Sequence, residues 1–273
     1  MGKITLSGKN VIVTGGSKGI GSEISKVLIK EGANVFIISR DEKAIKALIK
    51  EISVEFPNGN ISGHSADIGN YNQVKKVVKD IVKKAGSIDG IISNAGMAIP
   101  KYFEDTQIVE FESINRVKYL GAVYITKEVY PHLNHNGFIS FTSSVVGFMG
   151  VFGYSSYVGP NFALIGFAET LMQELTDKNI QISVLCPPDT DTPGYEEEEK
   201  TKPIETRLLS GKVKLMSAEE VAIRYIKKLK KGKFIITVNF DSSLFYFLKF
   251  MMPQLMIKIM TYMVKGIKKK NKK

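Results

Sequence analysis

At 273 residues, with 44% hydrophobic and 24% charged side chains, the chain has room for one large α/β domain with a full core. Its net charge of +11 owes much to Lys268, Lys269, Lys270, Lys272 and Lys273; no nucleic-acid motif goes with them, which leaves an anionic membrane surface or plain solvation. One cysteine, Cys186, excludes an intramolecular disulfide framework and fits a reducing compartment, and Met1 to Leu6 carry no apolar run for a signal peptide or N-terminal anchor.

The predicted elements begin with Val11-Ile12-Val13, three β-branched residues that make a short buried strand. Thr14 to Gly21 (T-G-G-S-K-G-I-G) turn the chain, and Ile20, Ile24, Val27 and Leu28 follow at helical spacing. A strand, a glycine turn and a helix form a dinucleotide-phosphate site, because glycines let the backbone approach a pyrophosphate and the helix start offers unpaired N–H groups. Gly15, Ser17, Lys18, Gly19, Ile20 and Gly21 are therefore candidate cofactor residues; a bare tight connection is the plainer alternative.

Gly32 ends this helix, and Val35 to Ser39 make a second buried strand. A carboxylate at such a strand end suits the ribose of NAD, whereas a cation suits the 2′-phosphate of NADP. Here the residues are Ser39 and Arg40, with Lys18 adding a second cation, so NADPH is the expected cofactor; Asp41 reads as a helix cap. Ile45, Leu48, Ile49 and Ile52 stripe a second helix, and Ile61 to Ala66 make a third strand. That strand leads to Asp67, placed to meet an adenine amine, with Ile68 beside it. Val74, Val77, Val78, Ile81 and Val82 stripe a helix stopped at Gly86, and Ile88 to Ser93 form the fourth strand, leaving through Asn94-Ala95-Gly96. The rhythm predicts a Rossmann-type doubly wound parallel sheet with helices on both faces and its ligand at the strands' carboxyl ends.

T-G-x-x-x-G-x-G, N-A-G and a serine thirteen residues before a tyrosine resemble the short-chain dehydrogenase/reductase family. N-Y-N-Q-V (Asn70 to Val74), N-A-G-M-A (Asn94 to Ala98), F-E-D (Phe103 to Asp105), P-P-D-T-D-T-P-G (Pro187 to Gly194) and T-K-P-I-E-T-R-L (Thr201 to Leu208) resemble its 3-ketodihydrosphingosine reductase branch. The likeness runs from about Gly8 to Val238. It implies NADPH-dependent reduction of a long-chain 3-keto lipid, 3-ketosphinganine, to sphinganine at the cytosolic face of the endoplasmic reticulum membrane. It also implies a possible pairing into homodimers, and no metal.

Phe138 to Thr142 read as the fifth strand, with Ser143 and Ser144 at its end. By the resemblance Ser144 holds the substrate carbonyl, Tyr157 donates the proton, and Asn94, Tyr157 and Asn161 touch the cofactor. The family places a lysine where this chain has Asn161, and an asparagine where it has Lys118. Three readings stay open: Lys118 reaches across and restores the charge, the site binds NADPH without turnover, or Lys118 is solvated and a weakened enzyme works without it. Reduction of another hydrophobic ketone is a further alternative. Pro160 is expected to delay the helix that presents Tyr157.

Phe148, Met149, Val151 and Phe152 are placed either to line an acyl channel or to pack against a helix, and Ile180 to Leu185 form the sixth strand. Residues 187–216 read as a long polar lid with the acidic run Glu196 to Glu199, and the family sets Pro188, Thr190 and Thr192 nearest the cofactor. Ser217 and Glu220 form a capping box, and Phe234 to Val238 close a reductase domain spanning 1–238. Beyond it, 239–273 is an apolar and basic extension. Leu244 to Ile267 are interrupted by Lys249, Pro253, Lys258 and Lys265, which suits a helix lying in the membrane interface better than a span.

Overall fold

Val11, Ile12 and Val13 have no exposed surface and fill β1 (Asn10–Thr14) in the computed structural model, which describes residues 4–211 and 215–271. The chain continues through α1 (Gly19–Lys30), β2 (Asn34–Ser39), α2 (Glu42–Glu55), β3 (Asn60–Ser65), α3 (Tyr71–Ala85) and β4 (Ile88–Ser93). Next come α4 (Ile108–Asn115), a π-helical turn over Arg116–Leu120, α5 (Gly121–Val129), β5 (Leu133–Thr142), α6 (Ser155–Glu174) and β6 (Gln181–Leu185). The last part holds β7 (Thr190–Asp191), α7 (Pro193–Thr201), α8 (Ile204–Ser210), β8 (Met216–Ser217), α9 (Ala218–Leu229), β9 (Ile235–Ile236), α10 (Phe240–Met251) and α11 (Pro253–Asn271).

Seven parallel strands run in the order β3-β2-β1-β4-β5-β6-β9. The order reverses between β1 and β4, so the loops leaving those two strands part and open a crevice at their carboxyl ends. Helices cover both faces because the strands are apolar on both: Ile12, Ile91, Ile139 and Val184 belong to one core cluster, Val11, Val13, Ile92 and Leu185 to the other. At the strands' amino ends Asp89 ties the strands together, accepting from the Asn10 N–H, Lys9 Nζ and Asn134 Nδ2 at 2.9, 3.0 and 3.0 Å.

Local caps agree with the sequence. Asp41 accepts from the Ala44 N–H to open α2, Gly86 stops α3 at φ +77°, and Ser217 accepts from the Glu220 N–H. Only half of the expected capping box forms at Ser217, because the Glu220 carboxylate binds Arg224 instead.

Four expectations change. Residues 187–216, read as a long polar loop, hold regular structure: α7, α8 and the β7–β8 pair occupy the segment. Thr192 caps α7 with Pro193 at its first turn, and Lys202 is buried against Glu199. Residues 212–214 of that segment, like Met1 to Lys3, Lys272 and Lys273, lie outside the described residues.

Pro160 does not delay α6, which starts at Ser155 and passes straight through the proline. Pro160 removes one helical hydrogen bond, yet its ring is buried and packing outweighs that loss.

Leu244 to Ile267 are not one interfacial helix. Met252 and Pro253 break the segment into α10 and α11, which fold back on the domain. Tyr246 meets Phe148 edge to face at 5.2 Å, Met256 is buried in the core, and Lys268 lies 4.7 Å from the centre of the Phe152 ring. No described helix is long and apolar enough to cross a membrane. Fourthly, Phe148 and Met149 are buried core residues, so the packing alternative holds for them.

Candidate cofactor and catalytic site

The glycine turn is closed so tightly that side chains cannot enter it. A Cβ on Gly21 would lie 2.1 Å from the Gly15 carbonyl oxygen, and one on Gly15 would lie 2.9 Å from Ala95 Cα. Gly15 and Gly19 also take φ of +65° and +56°, where glycine has no steric penalty. The buried Thr14 hydroxyl accepts from the N–H groups of Asn94 and Ala95, both at 3.1 Å, and so locks the turn after β4 to the turn after β1. No side chain caps the start of α1 and no carboxylate stands in its first turn. Its free N–H groups and positive dipole end suit a pyrophosphate, so the residues present fit a dinucleotide.

These turns border a cleft of ≈ 760 Å³ into which Gly15, Ser17, Lys18, Gly19, Ile20, Arg40, Ile68, Asn94, Lys118, Tyr157 and Thr192 all face. Gly21 lies behind the turn, where it allows the close approach. At the end of β2, Ser17 Oγ donates to Ser39 Oγ at 2.7 Å. Contrary to the expectation from the sequence, the Lys18 ammonium does not stand free for a phosphate: it pairs with Asp41 at 2.6 Å. That lysine, with the Ala44 N–H, holds the Asp41 carboxyl below its usual range. Arg40 is exposed at the rim and has no ion-pair partner among the described residues.

Asp67 is not at the cleft wall. Its Oδ1 accepts from the Gly69 N–H at 2.9 Å and its own N–H donates to Gln73, so it shapes a turn while Ile68 faces inward. Pro188 and Thr190 are likewise engaged with each other, the Thr190 hydroxyl donating to the Pro188 carbonyl at 2.8 Å. Thr192 caps α7 and sits against Gly19.

The catalytic candidates separate into two groups. Tyr157 reaches the cleft from the first turn of α6. Lys118 meets it from the π-turn, where the Gly121 N–H bonds the Arg116 carbonyl in the wide register. An extra residue in that turn rotates the side chains that follow, and π-turns often mark functional sites for this reason. Lys118 is only 4% exposed, and its Nζ lies 5.7 Å from the centre of the Tyr157 ring. The reading of Lys118 as a solvated helix residue is therefore wrong. Burial lowers the Lys118 ammonium to about 8, with the Cys186 and Glu198 charges opposing; burial raises the Tyr157 phenol, and Glu198 adds to that rise.

Ser144 and Asn161 fall outside the cleft wall, contrary to expectation. Ser144 Oγ accepts from the Val146 N–H at 3.2 Å to start a 3₁₀ turn, and Thr142 and Ser143 form the wall beside it. Asn161 has no exposed surface, and its Nδ2 donates to the Tyr157 carbonyl at 2.8 Å. It cannot also reach a ribose in this arrangement, and its Oδ1 is left without a partner.

Sequence reasoning missed Glu198 of α7, which also faces the cleft and accepts from the Tyr154 hydroxyl at 3.1 Å. The run of four glutamates was the available signal, but their helical phase depends on where α7 starts.

Residues 9–203 match the family described as short chain dehydrogenase. The 3-ketodihydrosphingosine reductase of Bos taurus is 37% identical over 243 residues, covering 87% of this chain and 73% of the relative. That of Dictyostelium discoideum is 40% identical over 257 residues, covering 88% and 77%. The 3-dehydrosphinganine reductase of Danio rerio is 38% identical, covering 85% and 71%. Among solved structures, a short chain dehydrogenase/reductase from Burkholderia phymatum in complex with NAD superposes with a TM-score of 0.82 at 18% identity, covering 92% of this chain and 96% of that one. Levodione reductase does so at 0.78 and 21%, covering 85% and 96%. Likeness at such identities demonstrates a common fold.

Proposed function

We propose that this chain, which belongs to the short-chain dehydrogenase family, is an NADPH-dependent reductase that converts 3-ketosphinganine to sphinganine. The names of its relatives support the substrate. The observation that carries the chemistry is the juxtaposition of Tyr157 and buried Lys118 in the cleft that also holds the glycine turn.

The glycine turn and the first N–H groups of α1 would hold the pyrophosphate, Ile68 and Asn94 would flank the cofactor, and Arg40 would meet a 2′-phosphate. When bound, the reduced nicotinamide supplies a hydride. Tyr157 keeps its proton at neutral pH because burial opposes the phenolate, and it gives that proton to the carbonyl oxygen. The phenolate left behind gains from the nearby Lys118 ammonium, a charge that Asn161 does not provide. Ser144 stands at the carboxyl end of β5; its oxygen accepts from the Val146 N–H, which leaves the hydroxyl proton available to donate to the carbonyl.

A cofactor-binding protein without turnover is the second reading, and the uncharged, inward-turned Asn161 favours it. Purified full-length protein with NADPH and 3-ketosphinganine in detergent separates the readings. Formation of sphinganine supports the reductase, and cofactor binding without turnover supports the second reading. Turnover of other hydrophobic ketones alone would point to a different substrate.

We also propose contact with an anionic membrane at the cytosolic face of the endoplasmic reticulum, made by 239–273. Phe247, Phe250, Met251, Ile257 and Tyr262 are exposed on α10 and α11 beside Lys249, Lys258 and Lys265, as an interfacial surface requires. Homodimer formation is proposed from the family resemblance and is read by light scattering.

A further inference from the structure

Of the acidic run on α7, Glu197 pairs with Lys200, and Glu199 with Lys202. Glu196 is exposed. Glu197 and Glu198 both line the cleft, but no lysine or arginine lies within ion-pair distance of Glu198 among the described residues. Its one hydrogen-bond donor is Tyr154, whose ring lies 6.0 Å from that of Tyr157. A half-buried carboxylate thus shares the cleft with the proton donor and has a neutral hydrogen-bond partner only.

Two physical facts bear on this placement. A carboxylate taken out of water without a cation is costly, and the cost is recovered when a cation arrives. Burial pushes Glu198 up to about 7, Asp189 adds to the rise, and Tyr154, Lys202 and Lys118 oppose it. The second fact is the substrate class: in 3-ketosphinganine the carbon next to the ketone carries an ammonium group. A group that binds this ammonium fixes the ketone one bond away.

We propose that Glu198 is the specificity residue that receives the ammonium beside the substrate's ketone and so turns the carbonyl toward Tyr157. This inference rests on the ketosphinganine reading above. The acceptor is charge-assisted and bidentate-capable, and the Tyr154 hydroxyl fixes its orientation. The site selects 2-amino ketones over equally long ketones that lack the amine, since those would leave the carboxylate buried and unpaired.

The test is a binding measurement alongside the assay. A short-chain 2-amino-1,3-diol and its N-acetyl derivative are titrated calorimetrically into the full chain with NADP present. Wild type is expected to bind the amine at least about tenfold more tightly than the amide. Glu198→Gln, which keeps an oxygen for Tyr154, is expected to erase that preference, and Glu198→Asp to keep part of it. Equal binding of both ligands by wild type overturns the proposal without any variant, as does a preference that survives in Glu198→Gln. The reductase reading is tested separately by turnover. Preference without turnover of 3-ketosphinganine sinks that reading and leaves Glu198 as an ammonium site, whereas turnover without preference does the reverse.

Discussion

Lys118 Nζ lies 5.7 Å from the centre of the Tyr157 ring, inside the domain, with no lysine on α6 to share its task. If its charge supports the phenolate, Lys118→Met cuts turnover by roughly 10²-fold or more, in line with acid–base catalysis. The pH profile checks the cause. Burial lowers Lys118 to about 8, so wild-type reduction should fall as pH rises through that value, and the variant should lose this limb. Lys118→Asn with Asn161→Lys should recover activity, although Lys118→Asn alone should not. Unchanged turnover in Lys118→Met would remove the assignment.

The same substitution makes an opposite prediction for stability. A buried lysine whose folded value is lowered to about 8 binds fewer protons folded than unfolded between that value and about 10.4. Stability from this group therefore rises as pH rises through that window, and at pH 7 the charge is destabilising. Lys118→Met should raise the melting temperature at pH 7, by an amount corresponding to up to about 3 kcal/mol, and the gain should shrink as pH rises from about 8 to about 10. A variant less stable than wild type at pH 7 would show that the ammonium is better solvated inside than its burial implies.

Arg40 is the cofactor-rim cation without an ion-pair partner, whereas Lys18 is engaged by Asp41. Arg40→Ala should weaken NADPH binding by about 1.5–3 kcal/mol and leave NADH nearly unaffected, because the lost contact is a charge-assisted one to the extra phosphate. Lys18→Ala should cost less. Titration of both cofactors against the three proteins is the measurement, and equal affinity of wild type for NADH and NADPH would defeat the assignment.

Removing 239–273 is a poor test of membrane contact, since Tyr246 and Met256 hold the domain and their loss would bare Phe148. Phe247→Ser with Met251→Ser alters two exposed side chains on α10 and should leave the melting temperature within about 1 kcal/mol of wild type in stability terms. The pair should abolish sedimentation with phosphatidylserine vesicles, which for wild type should weaken with salt because each lysine adds up to about 1 kcal/mol near the surface. Wild type that never sediments would exclude this contact.

What the chain determines by itself is whatever is settled within a few residues. Val11-Ile12-Val13 before the glycine turn, Asp41 ahead of Ala44 and Gly86 after α3 are local signals of period, cap and left-handed backbone, and each is found in place. The strand order follows too, since parallel strands joined by helices have few ways to pack. Tertiary structure decided the directions of side chains held by partners far along the chain. The π-turn that rotates Lys118 inward, the cleft-facing Glu198 with no ion pair between the paired Glu197 and Glu199, and the return of α10 onto Phe148 have no signature at helical or strand spacing. Pro160 inside α6 argues the same way, because the burial of that helix outweighs a local preference that, read alone, would have ended it.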